Sequence, residues 1–173
     1  MKDIIDCKRI LIVGDSCRGK STMADLLSKN LNIKHQDLDD FFYIKKFTIG
    51  REKQEQLDLV KTFLKENNEW IIEGTTRDMM CLCLKDADLI IHLWFKNLLS
   101  QLICITKRSF KRKENFWSYL NLCYTTVLKR YKLGKRKKGK LSVKELIREY
   151  SYKVINLNSW QDIEKFKNTI IES

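Results

Sequence analysis

The sequence predicts an α/β fold built on a parallel sheet, and three observations support this prediction. Short apolar runs alternate with segments of helical spacing, most of them ten residues or longer. Connections of this kind join parallel strands through helices. Residues 9–13 are apolar after the first position, which is typical of a strand buried on both faces. Finally, a chain of 173 residues fits one domain, residues 1–173, whose core needs no disulfide or metal.

Five strands and six helices follow in order. Residues 9–13 form the first strand, and apolar residues at helical spacing predict a helix over 20–31. Apolar positions on one face also predict a helix over 51–67. The other predicted strands are 33–38, 70–73, 88–95 and 152–157, and the other predicted helices are 96–113, 115–133, 142–150 and 159–172. Ser142 with Glu145 forms a capping-box signature, and Ser159 is the predicted cap of the last helix.

The positive charge of the chain is concentrated in residues 107–140. This segment holds 13 of the 34 lysines and arginines and a single acid, Glu114, so the rest of the chain has 21 residues of each sign. Such a block predicts a polyanionic partner: nucleotide phosphates, nucleic acid or an acidic surface. The alternative is a solvated basic face. Within the block, residues 135–139 are of low complexity and predict a mobile loop.

The cysteines and the apolar runs predict a cytoplasmic protein with no membrane partner. The six cysteines include no Cys-x-x-Cys pair, and no suitably spaced partners complete a metal site with Cys81 and Cys83, so we expect free thiols and core packing. The longest apolar run, residues 89–95, is far shorter than the ~20 residues of a membrane span. No signal-peptide core precedes the first strand. His92, within that run, is expected to be a core histidine.

Residues 14–21, GDSCRGKS, match the Walker A pattern G-x-x-x-x-G-K-[ST] between the first strand and the first helix. There, backbone N–H groups and the helix dipole face a phosphate, and glycines let the backbone close on it. Lys20 is expected to reach the β- and γ-phosphates and Ser21 to ligate Mg²⁺, so the predicted cofactors are ATP and Mg²⁺. The residues assigned to the nucleotide are Gly14, Asp15, Ser16, Cys17, Arg18, Gly19, Lys20, Ser21, Thr22 and, in the turn before the last helix, Asn158.

Besides the Ser21 hydroxyl, a P-loop needs an acid at the end of a neighbouring strand to hold the metal through water. Two carboxylates qualify. Glu73 ends the third strand after the apolar residues WII and is the better placed. Asp39 follows the second strand, although Asp37 and Asp40 beside it are equally consistent with solvated loop acids. We therefore assign Ser21 and Glu73 to the metal. The alternative for Glu73 is a surface-turn carboxylate.

Together these motifs resemble the FlaR-type "DNA topology modulation proteins", which belong with the adenylate-kinase-like nucleoside and nucleotide kinases. The resemblance runs from about residue 8 to residue 170 and rests on the Walker A loop, LDDFFY at 38–43, WIIEG at 70–74 and ADLII at 87–91. It implies a three-layer P-loop NTPase fold with a five-stranded parallel sheet in the order 2-3-1-4-5. It also implies phosphoryl transfer to a small acceptor, which it does not identify.

The resemblance further implies roles on the acceptor side, and it exposes departures from the family. In adenylate-kinase relatives an Asp-Gly-x-x-Arg run ends in an arginine that contacts the acceptor phosphate, and residues 73–77, EGTTR, place Arg77 at that spacing. Asp39 would orient or deprotonate the acceptor hydroxyl. Cys17 replaces a third loop glycine, which predicts a left-handed residue strained by about 1 kcal/mol. Arg18 would add a phosphate contact or point into solvent.

The basic segment 107–140 is interpreted as a helical lid or insert. Phosphoryl transfer needs cations that usually come from a lid, and Arg108 is assigned to stabilise the transferring group. An exposed basic helix end is the alternative for Arg108. Four aromatic residues interleave with the cations in a way that suggests base stacking, but their spacing favours helix packing: Trp117, Tyr119, Tyr124 and Tyr131.

The sequence therefore favours one function and keeps a second open. The favoured function is that of an ATP- and Mg²⁺-dependent phosphotransferase that acts on a small molecule or a nucleotide. The alternative is a nucleic-acid-binding or regulatory P-loop protein with a degenerate kinase site. The oligomeric state is not predicted.

Overall fold

The structure, a computed structural model, describes residues 4–45, 48–113, 115–131 and 141–172. Its strands are β1 (Arg9–Gly14), β2 (His35–Asp37), β3 (Tyr43–Lys45), β4 (Ile49–Gly50), β5 (Trp70–Glu73), β6 (Leu89–Leu93) and β7 (Val154–Leu157). Its helices are α1 (Lys20–Leu31), α2 (Leu38–Phe42), α3 (Lys53–Glu66), α4 (Arg77–Asp86), α5 (Leu98–Arg112), α6 (Phe116–Arg130), α7 (Val143–Arg148) and α8 (Trp160–Glu172).

Five strands form one parallel sheet in the order β2-β5-β1-β6-β7. β5 and β6, the neighbours of β1, are buried at every residue, which is why they appear as continuous apolar runs in the sequence. The predicted α/β class with a five-stranded parallel sheet is confirmed. The strand numbers differ from 2-3-1-4-5 because the antiparallel pair β3–β4, which the sequence did not predict, lies between β2 and β5 in the chain.

Helices cover both faces of the sheet. Ile10 and Ile12 of β1 belong to a core shared with α1 and α8, whereas Leu11 and Val13 belong to a core shared with α3, α4 and α7. This alternation along β1 produces the three layers and leaves the carboxyl ends of the strands at one edge of the sheet.

Most of the predicted elements are present, and the expected core histidine is buried. The capping box at Ser142 is formed, and Ser159 Oγ accepts a hydrogen bond from the Asp162 backbone N–H at 3.0 Å. His92 is buried, its Nδ1 lies 2.9 Å from Asn156 Oδ1, and burial lowers its pKa. Helices α2 and α4 were not predicted.

The structure also shows the state of the cysteines and the character of the helices. None of the six cysteines forms a disulfide; Cys83 is a core residue whose pKa burial raises to about 12, whereas Cys81 is only half-buried. None of the groups of His, Cys, Asp and Glu side chains in the described parts is arranged to hold a metal by itself. No helix in these parts combines the length and apolar character needed to cross a bilayer.

The basic segment 107–140 includes the end of α5 and all of α6. The two helices pack against each other as a hairpin. Tyr119 lies in the contact, with its hydroxyl 3.1 Å from Thr106 Oγ1. The packing expected of the other three aromatic residues is wrong: Trp117, Tyr124 and Tyr131 are exposed, because the contact with α5 uses a different face of α6. The loop predicted over 135–139 lies outside the described residues.

Candidate functional site

The Walker A loop joins the carboxyl end of β1 to α1. The backbone at Gly14 has φ of 137°, and a Cβ at this position would lie 1.7 Å from the Leu93 carbonyl oxygen. The same oxygen accepts a hydrogen bond from the Asp15 N–H at 2.8 Å. Only glycine therefore allows β1 to leave the sheet so close to β6. Cys17 has φ of 64°, so the left-handed conformation predicted for this position is present.

Lys20 places its ammonium group across the loop. Its Nζ donates a hydrogen bond to the Asp15 carbonyl oxygen at 3.0 Å. Burial lowers the pKa of Lys20, and the negative charges of Glu73, Asp15 and Asp39 partly oppose this shift. The ammonium is thus held by the loop itself and surrounded by acids, so a phosphate would give it a stronger partner than a carbonyl does.

Ser21 and Glu73 contact each other although they are 52 residues apart in the chain. The Ser21 hydroxyl donates to Glu73 Oε1 at 2.5 Å, and Glu73 is only 5% exposed. The interpretation of Glu73 as a surface-turn carboxylate is therefore wrong. Burial raises the pKa of Glu73, and the hydrogen bond from Ser21 and the charge of Lys20 counteract this effect. Hydroxyl and carboxylate oxygens are the ligands that Mg²⁺ prefers, so the two side chains fit that ion.

Gly74 brings the chain away from Glu73 beside α2. It has φ of 142°, and a Cβ on it would lie 2.7 Å from Leu38 Cβ. Asp37 caps α2 by accepting a hydrogen bond from the Asp39 N–H at 2.9 Å. The charge of the Asp39 carboxylate partly opposes the lowering of the Lys20 pKa by burial, so Asp39 belongs to the same charged cluster.

Arg77 is placed further along the chain, at the first residue of α4. One turn along the helix, burial raises the pKa of Cys81, and the charge of Arg77 partly opposes this shift. Among the described residues, no hydrogen bond or ion pair joins Arg77 to the Walker A loop. Of the five predicted catalytic residues, the structure thus brings Lys20, Asp39 and Glu73 into one cluster, and Arg77 is not in contact with it.

Arg108, the fifth predicted catalytic residue, contacts the loop from α5. Its Nη1 donates a hydrogen bond to Cys17 Sγ at 3.3 Å. The interpretation as a merely exposed helix end is therefore wrong, because the guanidinium lies against the Walker A loop. Asn158 follows β7 at the same edge of the sheet, and its backbone N–H donates to Asp162 Oδ2 at 3.3 Å. Ser16 is half-buried, and Gly19 and Thr22 are exposed at the start of α1.

Arg130 is a residue of this site that the sequence reasoning missed. Its guanidinium donates to the carbonyl oxygens of Phe95 at 2.9 Å and Lys96 at 2.7 Å, and it lies 3.9 Å from Asp15 Oδ2. The same Asp15 oxygen accepts a hydrogen bond from the Phe95 N–H at 2.8 Å. Arg130 thereby fastens α6 to the loop after β6. No local signal separates it from the other cations of residues 107–140.

Arg18 does not face solvent. It is 2% exposed, and its guanidinium carbon lies 4.5 Å from the ring centroids of both Phe95 and Trp160. The alternative in which it points into solvent is wrong, because the ring of Phe95, after β6, and the ring of Trp160, at the start of α8, contact its guanidinium.

Comparison with known proteins adds one sequence relative and several structures. No family model matches the chain. The uncharacterized protein YqaC of Bacillus subtilis (strain 168) is 33% identical over 108 residues, which are 62% of this chain and 60% of that protein. The chain therefore spans about 60% of the length of the curated relative that it matches.

Two solved structures superpose on nearly the whole chain. A shikimate kinase from Acinetobacter baumannii in complex with shikimate has a TM-score of 0.56 at 14% identity, covering 98% of this chain and 93% of that one. A gluconokinase from Sinorhizobium meliloti 1021 has a TM-score of 0.53 at 10% identity, covering 94% and 89%. The chain has a P-loop kinase fold. The comparisons do not confirm the narrower resemblance to the topology modulation proteins.

Proposed function

We propose that this protein is an ATP- and Mg²⁺-dependent kinase that transfers the γ-phosphoryl group to a small molecule or a nucleotide. The observation that carries the proposal is the contact of Ser21 with the buried Glu73, beside Lys20 in the Walker A loop. A loop with a purely structural role does not require a buried carboxylate such as Glu73 in contact with the Ser21 hydroxyl. The P-loop kinase fold of the two superposed enzymes supports the reaction class.

Each residue of the cluster then has a role. The loop N–H groups and Lys20 hold the phosphates, and Arg108, which reaches the loop at Cys17, neutralises charge on the transferring group. Ser21 and Glu73 would hold Mg²⁺, which supplies further neutralisation of the phosphate oxygens when bound. Asp39, near Lys20, orients the acceptor hydroxyl or takes its proton. Arg77 would bind an acceptor anion from the start of α4.

A screen of acceptors tests the kinase proposal. The purified protein is mixed with Mg²⁺, ATP and one acceptor at a time, drawn from sugars, hydroxy acids, nucleosides and nucleotides, and ADP release is measured. We expect one chemical class to accelerate ADP release above the rate without acceptor, and Lys20→Ala to abolish the acceleration. Failure of every acceptor class to exceed that background would contradict the proposal.

Nucleic-acid binding is a second candidate, favoured by the exposed face of α6. Trp117, Tyr124 and Tyr131 are 75%, 63% and 62% exposed and recur every seven residues, so they lie along one side of the helix. Cations flank them in residues 107–113 and 129–140. Aromatic side chains among cations are the usual means of holding single-stranded nucleic acid.

Gel-shift titration with single-stranded and duplex DNA tests the second candidate. Micromolar or tighter binding at physiological salt is expected, and it should be abolished when Lys135, Arg136, Lys137 and Lys138 are neutralised together. Replacement of Trp117 by alanine should weaken binding to single strands more than binding to duplex. Binding confined to very low salt would instead indicate non-specific charge.

A further inference from the structure

Two of the six cysteines, Cys17 and Cys104, lie at the contact between the Walker A loop and α5. Arg108 Nη1 of α5 donates a hydrogen bond to Cys17 Sγ at 3.3 Å. Cys104 precedes Arg108 by one helical turn, so the two residues share one face of α5. Side chains of a helix lean toward its N-terminus, so the long Arg108 side chain extends over the turn that carries Cys104. The Cys17 sulfur at the end of this side chain therefore lies close to Cys104.

The charges that act on Cys104 place it at the same turn of the loop. Burial raises the pKa of Cys104, the charge of Arg18 opposes this shift, and the charge of Cys17 adds to it. Burial in turn lowers the pKa of Arg18, and the charge of Cys104 opposes that shift more strongly than the charge of Asp15 does. Because such interactions weaken with distance, Cys104 is a neighbour of residues 17 and 18.

The surroundings of the two thiols suit reversible oxidation. Cys17 and Cys104 are half-buried, so a small oxidant can reach them, whereas Cys7 and Cys83 are buried in the cores. A guanidinium beside a sulfur stabilises the thiolate, which is the form that attacks a peroxide, and Arg108 supplies such a group at Cys17. Cys104 then stands beside it as a second, resolving thiol.

We propose that Cys17 and Cys104 form a reversible disulfide that closes the Walker A loop to nucleotide. The effect on the nucleotide rests on the proposed function, whereas the pairing of the thiols does not. With hydrogen peroxide as oxidant, the Cys17 thiolate attacks one peroxide oxygen, the O–O bond breaks, and a sulfenic acid and hydroxide form. The Cys104 thiol attacks the sulfenic sulfur, so that the S–S bond forms, the S–O bond breaks and the departing hydroxide leaves as water with the thiol proton.

The disulfide would act on the loop at its left-handed residue. Cys17 has φ of 64°, and it belongs to the turn whose backbone N–H groups would face a phosphate. A covalent link to α5 directs its sulfur toward Cys104 and away from Arg108. The loop then loses its freedom to close around a phosphate, and Arg108 loses the sulfur as a partner. A dithiol reductant cleaves the link and restores both.

Peptide mapping tests the pairing without any nucleotide. Trypsin cuts after lysine and arginine, so it releases Cys17 in residues 10–18 and Cys104 in residues 97–107, each as the single cysteine of its peptide. After a slight excess of hydrogen peroxide and alkylation of the remaining thiols, the two peptides should appear as one linked species that dithiothreitol separates. Cys17→Ser and Cys104→Ser should each abolish this species. Cys81→Ser, at another half-buried thiol, should leave it unchanged.

Calorimetric titration of ATP with Mg²⁺ tests the effect on the loop. The oxidised protein should bind ATP at least about tenfold more weakly than the reduced protein, and dithiothreitol should restore the affinity. Reduced Cys104→Ser should bind ATP as the reduced wild type does, because this thiol lies outside the Walker A loop. ATP with Mg²⁺ should in turn lower the yield of linked peptides, since coupling between two sites is reciprocal.

Three results would overturn the redox pair. The absence of the linked peptides after oxidation, or their linkage to other cysteines instead, would show that Cys17 and Cys104 do not pair. A disulfide that leaves ATP affinity unchanged would remove its control of the loop. Equal ATP affinity loss in oxidised Cys81→Ser and in oxidised Cys104→Ser would assign the loss to damage elsewhere. A protein that forms the disulfide but binds no nucleotide when reduced would uphold the pairing and overturn the kinase proposal together with the nucleotide effect.

Discussion

Lys20 is the residue on which nucleotide binding should depend most directly. Lys20 is half-buried, the charges of three acids act on it, and its ammonium donates across the loop to the Asp15 carbonyl oxygen. We expect ATP with Mg²⁺ to raise the unfolding temperature of the wild-type protein and to leave that of Lys20→Ala unchanged, because a ligand stabilises only a native state that binds it. Thermal unfolding with and without nucleotide measures this. An undiminished shift in the variant would place the nucleotide elsewhere.

Glu73 should make stability depend on pH. Burial raises its folded pKa above the unfolded value of about 4.3, so its contribution is fully present below that pH and is lost as the pH rises through the folded pKa. Without Mg²⁺, Glu73→Gln should therefore be more stable than wild type at about pH 8, and the difference should shrink toward about pH 4. Urea unfolding in the presence of a chelator, across this pH range, measures the difference.

The same substitution should have the opposite effect once the metal is required. Glu73→Gln should bind nucleotide but lose most of its Mg²⁺ dependence and turnover, because a neutral amide is a poor ligand for a hard cation. Glu66→Gln, at the exposed end of α3, is the matched control and should change neither stability nor turnover. Unchanged magnesium dependence in Glu73→Gln would transfer the metal role to Asp39 or another acid.

Among the elements, the junction of β5 with the loop before α4 depends on Gly74. An alanine there would combine a φ of 142° with a Cβ placed 2.7 Å from Leu38 Cβ. We expect Gly74→Ala to lower the free energy of unfolding by about 2 kcal/mol, as measured by chemical denaturation. Gly50→Ala in β4 is the control: its Cβ would meet Phe42 at an ordinary 3.5 Å, so the change should be within about 0.5 kcal/mol. Equal effects of the two substitutions would contradict the argument.

The hairpin of α5 and α6 lies outside the sheet and contributes two arginines to the site. α5 carries Arg108 to the phosphate loop, and α6 carries Arg130 to the carbonyl groups after β6. Two cations of the basic segment are thus already engaged near the Walker A loop. The outer side of α6 carries the exposed aromatic residues, and this is the side that would contact nucleic acid in the second candidate function.

For the whole molecule, the charge distribution predicts how affinity for polyanions depends on salt. The cations of residues 107–140 are nearly unopposed, whereas the rest of the chain is neutral. The logarithm of the affinity for single-stranded DNA should fall linearly with the logarithm of the salt concentration. Neutralising Lys107, Lys111, Arg112 and Lys113 should make the slope shallower by about 3, at roughly 0.7 for each phosphate that is no longer neutralised. Fluorescence anisotropy at several salt concentrations measures this, and an unchanged slope would show that these four residues do not bind the DNA.

The sequence by itself determined the parts of this protein that depend on neighbouring residues. The Walker A loop, the apolar strands and most of the helices follow from short motifs and from periodicity, which act over a few positions. The left-handed Cys17 was implied by the family resemblance. Glu73 could be selected because it closes an apolar strand. Helix α4 was missed although Met79, Met80, Cys83 and Leu84 have helical spacing, and β3 and β4 are too short to give a period.

The tertiary structure decided which distant side chains meet. Ser21 contacts Glu73 because β1 and β5 are adjacent in the sheet, and Arg130 reaches the loop after β6 only because α6 folds back on α5. The contact of Arg18 with Phe95 and Trp160 brings together the Walker A loop, the loop after β6 and the first residue of α8. Such contacts arise from the parallel order of the strands, which gathers their carboxyl ends at one edge, and no local pattern in the chain encodes the resulting distances.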